Sequence, residues 1–310
     1  MYEYPLKPPF DAKKVWLYDD IFPQTRPYSL IRCFHHRNYS MGFHSHDFYE
    51  INLITNGQGA HYTENDFRET EIGDVVIIPP GKNHAYHSKD NLCVFHFIIH
   101  KNFFRRYYSE LNMLPAYPLL FNDNRIGDES EIDITYFHIG ENDYESMFKL
   151  FCELDSLDYN SALSESEEVL PMYLATYAKS IILIANICEA YRKSASFVGD
   201  KVKTDSAILA VVNYIHNHYA ERLTLDDLCT VAYMSKSTLS KRFCKYIGQS
   251  PLSYVNYYRI LVAKKLLIET DKSFSEIASE VGFFDYSHFC KIYKKYENIS
   301  PTDLRQRKGI

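Results

Sequence analysis

The feature that most constrains this chain is a repeat near its C-terminus. The block Lys241–Pro251 recurs 50 residues later as Lys291–Pro301, with Lys241/Lys291, Lys245/Lys295, Tyr246/Tyr296, Ser250/Ser300 and Pro251/Pro301 identical. Gly248 and Asn298 also correspond, and these two residue types best tolerate the left-handed conformation that ends a helix. Upstream, Leu225–Thr230 parallels Phe274–Ser279 at an offset of 49, so the turn in the second copy is one residue longer. Thr224-x-x-Asp227 and Ser273-x-x-Glu276 have the capping-box pattern that opens a helix. Each copy is therefore a short helix, a turn and a second helix carrying basic residues. In that plan the second helix enters the major groove. The apolar spacing between the copies predicts a connecting helix over Pro251–Ile268.

Charge divides along the same line. From Asp205 to Ile310 there are 15 Lys+Arg and 11 Asp+Glu, a net +4, while the remaining 204 residues carry 19 and 29, a net −10. A basic C-terminal part in an acidic chain suits a polyanionic partner. The length of 310 residues predicts about two domains at ~150 residues each. Continuous apolar runs as short as Ile181–Ala185 predict no membrane span, and Met1–Pro5 lacks a secretory leader's basic start. Seven cysteines, none in a C-x-x-C pair, read as buried thiols of a reducing cytoplasm rather than disulfides or zinc ligands.

The segment Leu223–Arg307 resembles the double helix-turn-helix domain of AraC/XylS-type transcription regulators. The resemblance rests on Arg259-Ile260, Ala263, Leu266-Leu267, Ile277-Ala278, Val281-Gly282-Phe283, Phe289, Ser300-Pro301 and Arg305. Cys229, Asn298 and Leu304 depart from the family's usual alanine, glycine and aromatic residue. The resemblance implies two recognition helices, Ser237–Tyr246 and Tyr286–Tyr296, about one DNA turn apart. It places Ser237, Ser240 and Lys241, and in the second copy Tyr286, Ser287, His288 and Lys291, toward bases. Lys245 and Lys295, with Lys236 and Lys294, suit phosphates, which give affinity without sequence.

The first hundred residues contain short apolar or alternating runs around Ser29–Phe34, Tyr49–Thr55, Asp74–Ile78 and Leu92–Ile99. Turn formers at Asn56–Gly59 and Pro79–Gly81 punctuate them, the pattern of a barrel or sandwich. His44-x-His46-x-x-x-Glu50 with Gly57, then Gly73, Pro79, Gly81 and His84, resembles the two cupin signatures. In metal-binding cupins the residues matching His44, His46, Glu50 and His84 hold a divalent ion, and three imidazoles with a carboxylate suit a transition metal. Two other readings stand beside it: effector-binding residues, and a structural network around Glu50. His35, His36, His87, His96 and His100 show no comparable spacing. A proline- and aromatic-rich arm over residues 2–16 resembles arms that close over ligand in this family.

After about Glu141 the period becomes helical. Asp143–Leu154 reads as a helix and Asp155–Ser164 as a polar break. Leu170, Leu174, Tyr177, Ile181, Ile184, Cys188 and Tyr191 then form a heptad seam. That seam suits either packing on its own domain or a dimer interface. Arg192–Lys203 reads as a linker.

The fold class expected is α+β in two domains: an N-terminal cupin-type β-barrel followed by helices, and a C-terminal all-α domain with two helix-turn-helix motifs. The expected boundaries are 1–140 for the effector domain, 141–203 for a dimerisation region with linker, and 204–310 for the DNA-binding domain. The function expected is a sequence-specific regulator, by family resemblance an activator, and not an enzyme. Its partners are double-stranded operator DNA, a small effector of the sugar or related metabolite class, a second copy of itself and RNA polymerase. It needs no membrane and no obligatory cofactor, and the barrel admits a divalent metal. The alternative is a cupin metalloenzyme with an accessory DNA-binding region.

Overall fold

The structure is a computed structural model describing residues 14–21, 30–121, 133–163, 169–194 and 202–307. Residues 1–13 of the arm and 195–201 of the expected linker lie outside the described residues. The elements begin with β1 (Lys14–Trp16), α1 (Tyr18–Ile21), β2 (Ile31–His36), β3 (Met41–His46), β4 (Tyr49–Thr63), β5 (Phe67–Thr70), β6 (Asp74–Ile78) and β7 (His84–Ile99). There follow α2 (Lys101–Arg106), α3 (Tyr108–Leu111), α4 (Tyr117–Leu120), β8 (Thr135–His138), α5 (Glu141–Leu163) and α6 (Val169–Ser194). The remainder is helical: α7 (Val202–His218), α8 (Leu225–Ala232), α9 (Lys236–Ile247), α10 (Pro251–Glu269), α11 (Phe274–Glu280), α12 (Tyr286–Glu297) and α13 (Pro301–Arg307).

Two compact units result. One holds all eight strands with α1, α2, α3, α5 and α6; the other holds α7–α13 together with α4. Thus α4, from within the range expected for the barrel, packs with the recognition helix α9 of the second unit.

In the first unit the strands form one eight-stranded sheet in the order β1-β3-β7-β4-β6-β8, with β2 also on β7 and β5 also on β4. The two longest strands each serve two halves. β7 pairs with β3 through His84 and Tyr86 and with β2 through Val94–Ile99. β4 pairs with β6 through Glu50–Leu53 and with β5 through Gly59–Tyr62. The expected turn at Asn56–Gly59 is instead a run of register shifts inside the continuous β4. Gly57 (φ 77) is needed there, because a Cβ would lie 2.2 Å from the Asn91 carbonyl oxygen. The shifts also change parity. Glu50 pairs across from Ile98 and His61 across from Tyr86, and both side chains are buried, although their positions differ by an odd number.

Two helical expectations need correction. The polar stretch after Asp155 continues α5 to Leu163, since polarity marks exposure rather than a break in backbone hydrogen bonding. In α6 the buried residues are Tyr173, Tyr177, Ser180, Leu183, Ile184, Ile187, Cys188, Ala190 and Tyr191, and Tyr177, Ile184, Cys188 and Tyr191 of the expected seam are among them. Leu174, assigned to the seam from sequence, is 62% exposed, and Ile182 is 50% exposed. The 24-residue α6 stretch Pro171–Ser194 is long and apolar enough by composition alone to cross a bilayer. Here its buried face packs against α5 and β8. Among the cysteines, Cys33, Cys93 and Cys188 are buried as expected, but Cys244 is exposed.

In the second unit the local signals are met residue by residue. Both capping boxes form, with Thr224 and Asp227 opening α8 and Ser273 and Glu276 opening α11. Gly248 (φ 81) and Asn298 (φ 60) end α9 and α12 in the left-handed conformation. Each recognition helix buries one stripe: Leu239, Phe243 and Ile247 in α9, Phe289 and Tyr293 in α12. The second motif closes on α10 through Ile260, Ala263 and Leu267 packed with Ile277, Ala278, Val281 and Phe283.

Candidate functional site

The inner face of the sheet collects polar groups from both of its halves. His44 stands directly across from His84 on the β3–β7 ladder. Glu50 reaches them from β4: its Oε2 lies 3.0 Å from His46 Nε2 and 3.7 Å from His84 Nε2. Its other oxygen, Oε1, accepts a 2.7 Å hydrogen bond from His96 Nδ1. All of these side chains are buried. The four residues singled out by spacing are therefore brought together. His96 joins them although its sequence position carries no signal: Asn52 pairs with His96 and Glu50 with Ile98, so His96 is the diagonal neighbour of Glu50. His61 is a second addition, stacked on His84 with ring centroids 5.5 Å apart and bonded through Nδ1 to the Tyr136 hydroxyl at 2.7 Å.

The histidine tautomers follow from their partners. Nδ1 of His44 bonds the Gly42 carbonyl at 2.9 Å, that of His46 the Phe48 carbonyl at 2.8 Å and that of His84 the Lys82 carbonyl at 3.3 Å. A carbonyl only accepts, so each Nδ1 carries the hydrogen and each neutral ring keeps a lone pair on Nε2. Nε2 of His46 and of His84 is buried without a hydrogen-bond partner; His46 Nε2 is close to Glu50 but off the line of a bond. Burial, and then the neighbouring His44, push His84 well below the usual histidine range, and burial brings His61 down to about 3. Burial alone would raise Glu50. The imidazoles of His46 and His96, where they present a proton to its oxygens, outweigh that and hold the carboxyl well below the usual range.

The donor set fits a metal ion. Ligand atoms of His44, Glu50 and His84 lie within 4.8 Å of one another, all buried. Imidazole nitrogens with one carboxylate are the ligands of Zn²⁺ and related ions.

The second unit carries the other site. Ser237, Lys241 and Lys245 are exposed on α9 and Ser240 is half-buried, while Tyr286, Ser287, His288, Lys291 and Lys295 are exposed on α12. Each helix therefore turns its donors and cations outward from its buried stripe, with N-caps at Ser235 and Asp285. Lys236, expected near phosphate, pairs with Asp226 at 2.8 Å. Two exposed aromatics that sequence reading passed over adjoin these helices: Tyr233 is 96% exposed and Phe284 100% exposed.

A sheet-rich unit with an inward polar cluster, joined to a helical unit presenting two recognition helices, defines a ligand-binding, DNA-binding regulator. Residues 27–132 match the AraC-like ligand binding domain and residues 228–307 a helix-turn-helix domain. The chain is 23% identical over 263 residues to the HTH-type transcriptional activator RhaS of Enterobacter sp. (strain 638), covering 85% of this chain and 87% of that one. It is 25% identical over 263 residues, with the same coverage, to the RhaS of Escherichia fergusonii. A solved AraC-type transcriptional regulator from Chromobacterium violaceum is 28% identical, covering 34% of this chain and 94% of that chain with a TM-score of 0.33. The chain belongs to the AraC-type transcription regulators, with an AraC-like ligand-binding domain ahead of an AraC-type helix-turn-helix domain.

Proposed function

We propose that this regulator reads its operator through Ser237, Ser240 and Lys241 of α9 and Tyr286, Ser287, His288 and Lys291 of α12, set in adjacent major grooves. Lys245 and Lys295 serve phosphates. The observation that carries this is the repeated two-faced helix: in both copies one stripe is buried and the opposite face exposes donors and cations. A small effector, of the sugar or related metabolite class, binds at the buried cluster of His44, His46, Glu50 and His84. Binding can alter DNA affinity only by favouring one arrangement of the two units. By kinship with the RhaS activators we assign activation, with RNA polymerase as the further partner and the cytoplasm as the site of action. A second copy docks on the outward stripe of α6, where Leu174 and Ile182 are exposed. The proposed domains are those read from sequence, 1–140, 141–203 and 204–310, with α4 contributed to the last.

The test is operator binding. Lys241→Ala and Lys291→Ala should each cost about 1–3 kcal/mol and relax preference at one base. Lys245→Ala should weaken all sequences evenly and flatten the salt dependence. Wild-type binding by all three variants would overturn the helix assignment.

A further inference from the structure

We propose that Tyr233 and Phe284 belong to the DNA-reading surface, with Phe284 packing on the 5-methyl group of a thymine in the second major groove and Tyr233 donating its hydroxyl to a phosphate beside the first. The proposal rests on the reading of α9 and α12 as recognition helices, and it adds an apolar contact to what those helices read.

The two residues stand apart by exposure. Tyr233 is 96% and Phe284 100% exposed, while the next large hydrophobic side chains among the described residues, Val15 and Leu174, reach 62%. A single exposed hydrophobic residue is ordinary. Here both lie in the same place, the turn that leads into a recognition helix, once in each copy of the repeat.

The two turns show how each ring is placed. The Met234 amide donates to the Cys229 carbonyl at 3.1 Å, and the Phe283 amide donates to the Ala278 carbonyl at 2.9 Å, the same closing bond 49 residues on. The N-caps that follow, Ser235 and Asp285, are 50 residues apart. Phe284 is therefore the additional residue of the longer turn, set between buried Phe283 and the cap, and its ring is presented outward rather than packed. Tyr233 corresponds to Gly282 and holds the left-handed conformation, φ 52 and ψ 42, without glycine's freedom. Its side chain recovers none of that strain by packing, since it is almost wholly exposed. Strain that the fold does not use marks a functional position.

Position and chemistry select DNA as the partner. In a helix-turn-helix the N-terminal residues of the second helix meet the base edges. Tyr233 precedes the N-cap of α9 by two residues and Phe284 that of α12 by one, and Ser237, Ser287 and His288 follow within about one helical turn. Phe284 offers no hydrogen bond, and the apolar group that a base edge shows in the major groove is the thymine methyl. Tyr233 offers a hydroxyl on a rigid ring, which suits a phosphate oxygen; such a contact fixes the helix in place without reading sequence.

The experiment uses the full-length chain and a duplex that it selects from a random-sequence pool, with binding followed by fluorescence anisotropy. Each thymine of that duplex is replaced in turn by deoxyuridine, which lacks only the methyl. One replacement should weaken wild-type binding about fourfold, as expected for one methyl buried from water. Phe284→Ala should weaken binding to the thymine duplex about tenfold and be indifferent to that replacement, whereas Phe284→Leu, still apolar, should keep most of the affinity. Tyr233→Phe should weaken every duplex alike, about three- to tenfold, and leave the salt slope unchanged, because a neutral donor releases no counterion. Tyr233→Gly should lower affinity at least as much while raising the melting temperature, an opposition that a merely structural tyrosine would not give. Three results overturn the thymine contact: wild-type affinity in Phe284→Ala, which would assign the ring to a protein partner; a Phe284→Ala chain that senses deoxyuridine as the wild type does; or a wild type indifferent to every replacement. Wild-type affinity in Tyr233→Phe overturns the phosphate contact. Lys241→Ala and Lys291→Ala are measured beside these variants. If the lysine variants weaken binding and the aromatic ones do not, the recognition helices stand and the aromatic contacts fall; if all bind as wild type, the helix assignment itself has failed.

Discussion

Arg259 Nε donates to the Tyr219 carbonyl at 2.7 Å while its Nη2 donates to the Glu221 carbonyl at 2.7 Å. One guanidinium on α10 thus binds the chain just after α7. It also lies over the Phe283 ring, 5.6 Å from the centroid. The fork geometry explains why arginine stands here, since an ammonium cannot serve two carbonyls in this fixed arrangement.

Arg259→Ala should therefore destabilise the DNA-binding unit by about 2–3 kcal/mol, because carbonyls lose charge-assisted bonds in a half-buried setting. Arg259→Lys should recover less than half. Urea unfolding of the full chain measures both, and a variant within experimental scatter of wild type would show the clamp to be dispensable.

Tyr233 and Gly282 occupy matching left-handed positions in the two turns, at φ 52 and φ 88. A Cβ at Gly282 would lie 2.6 Å from the Ala220 carbonyl oxygen, whereas the Tyr233 side chain is almost wholly exposed. Tyr233→Gly should raise stability by about 1 kcal/mol, since it relieves left-handed strain and removes little packing. Gly282→Ala should destabilise. Thermal melts giving the same sign for both substitutions would contradict this account.

The two faces of α6 make opposite predictions. Leu174→Asp with Ile182→Asp should leave the fold intact and convert a dimer to a monomer in sedimentation. Ile184→Asp should abolish folding of the first unit, because Ile184 is 0% exposed. A dimer unchanged by the outward pair would move the interface off α6.

His216 sets an acid limit. Burial brings its imidazole down to about 3, and it bonds the Tyr254 hydroxyl at 2.9 Å and stacks on Tyr258 at 3.8 Å. The unfolded chain takes up this proton near pH ~6.5 while the native chain does not. Between that pH and about 3 the unfolded state binds more protons, so stability falls as pH falls, by up to about 1.4 kcal/mol per pH unit from this residue. His216→Gln should flatten the slope over that window. An unchanged slope of melting temperature against pH would exclude His216 as its source.

Much of the second unit was legible without a structure because its signals are local. Thr224 with Asp227, Ser273 with Glu276, and Gly248 and Asn298 each act within about one helical turn, so adjacent residues suffice to place them. The stripes of Leu239, Phe243, Phe289 and Tyr293 follow from the helical period, and with them the exposure of Lys241 and Lys291. In the first unit, the spacing of His44, His46, Glu50 and His84 was enough to single out four residues that come together.

Tertiary structure decided what depends on register and on which face wins. His96 reaches Glu50 only because β4 and β7 pair with Asn52 across from His96, and His61 turns inward only because the shifts around Gly57 change the strand's parity. Along α6 the heptad period was visible from residue types, but two apolar stripes compete for one core. Packing against α5 and β8 buries Tyr173, Ile184 and Ile187 and leaves Leu174 and Ile182 outside. The placement of α4 with α9 is of the same kind: an apolar segment goes to the surface that buries it, and that surface is formed by residues more than a hundred positions later. Local hydrogen bonds and periodicity are written in neighbouring residues, whereas strand register and the choice of buried face are settled by the partners that long-range folding brings together.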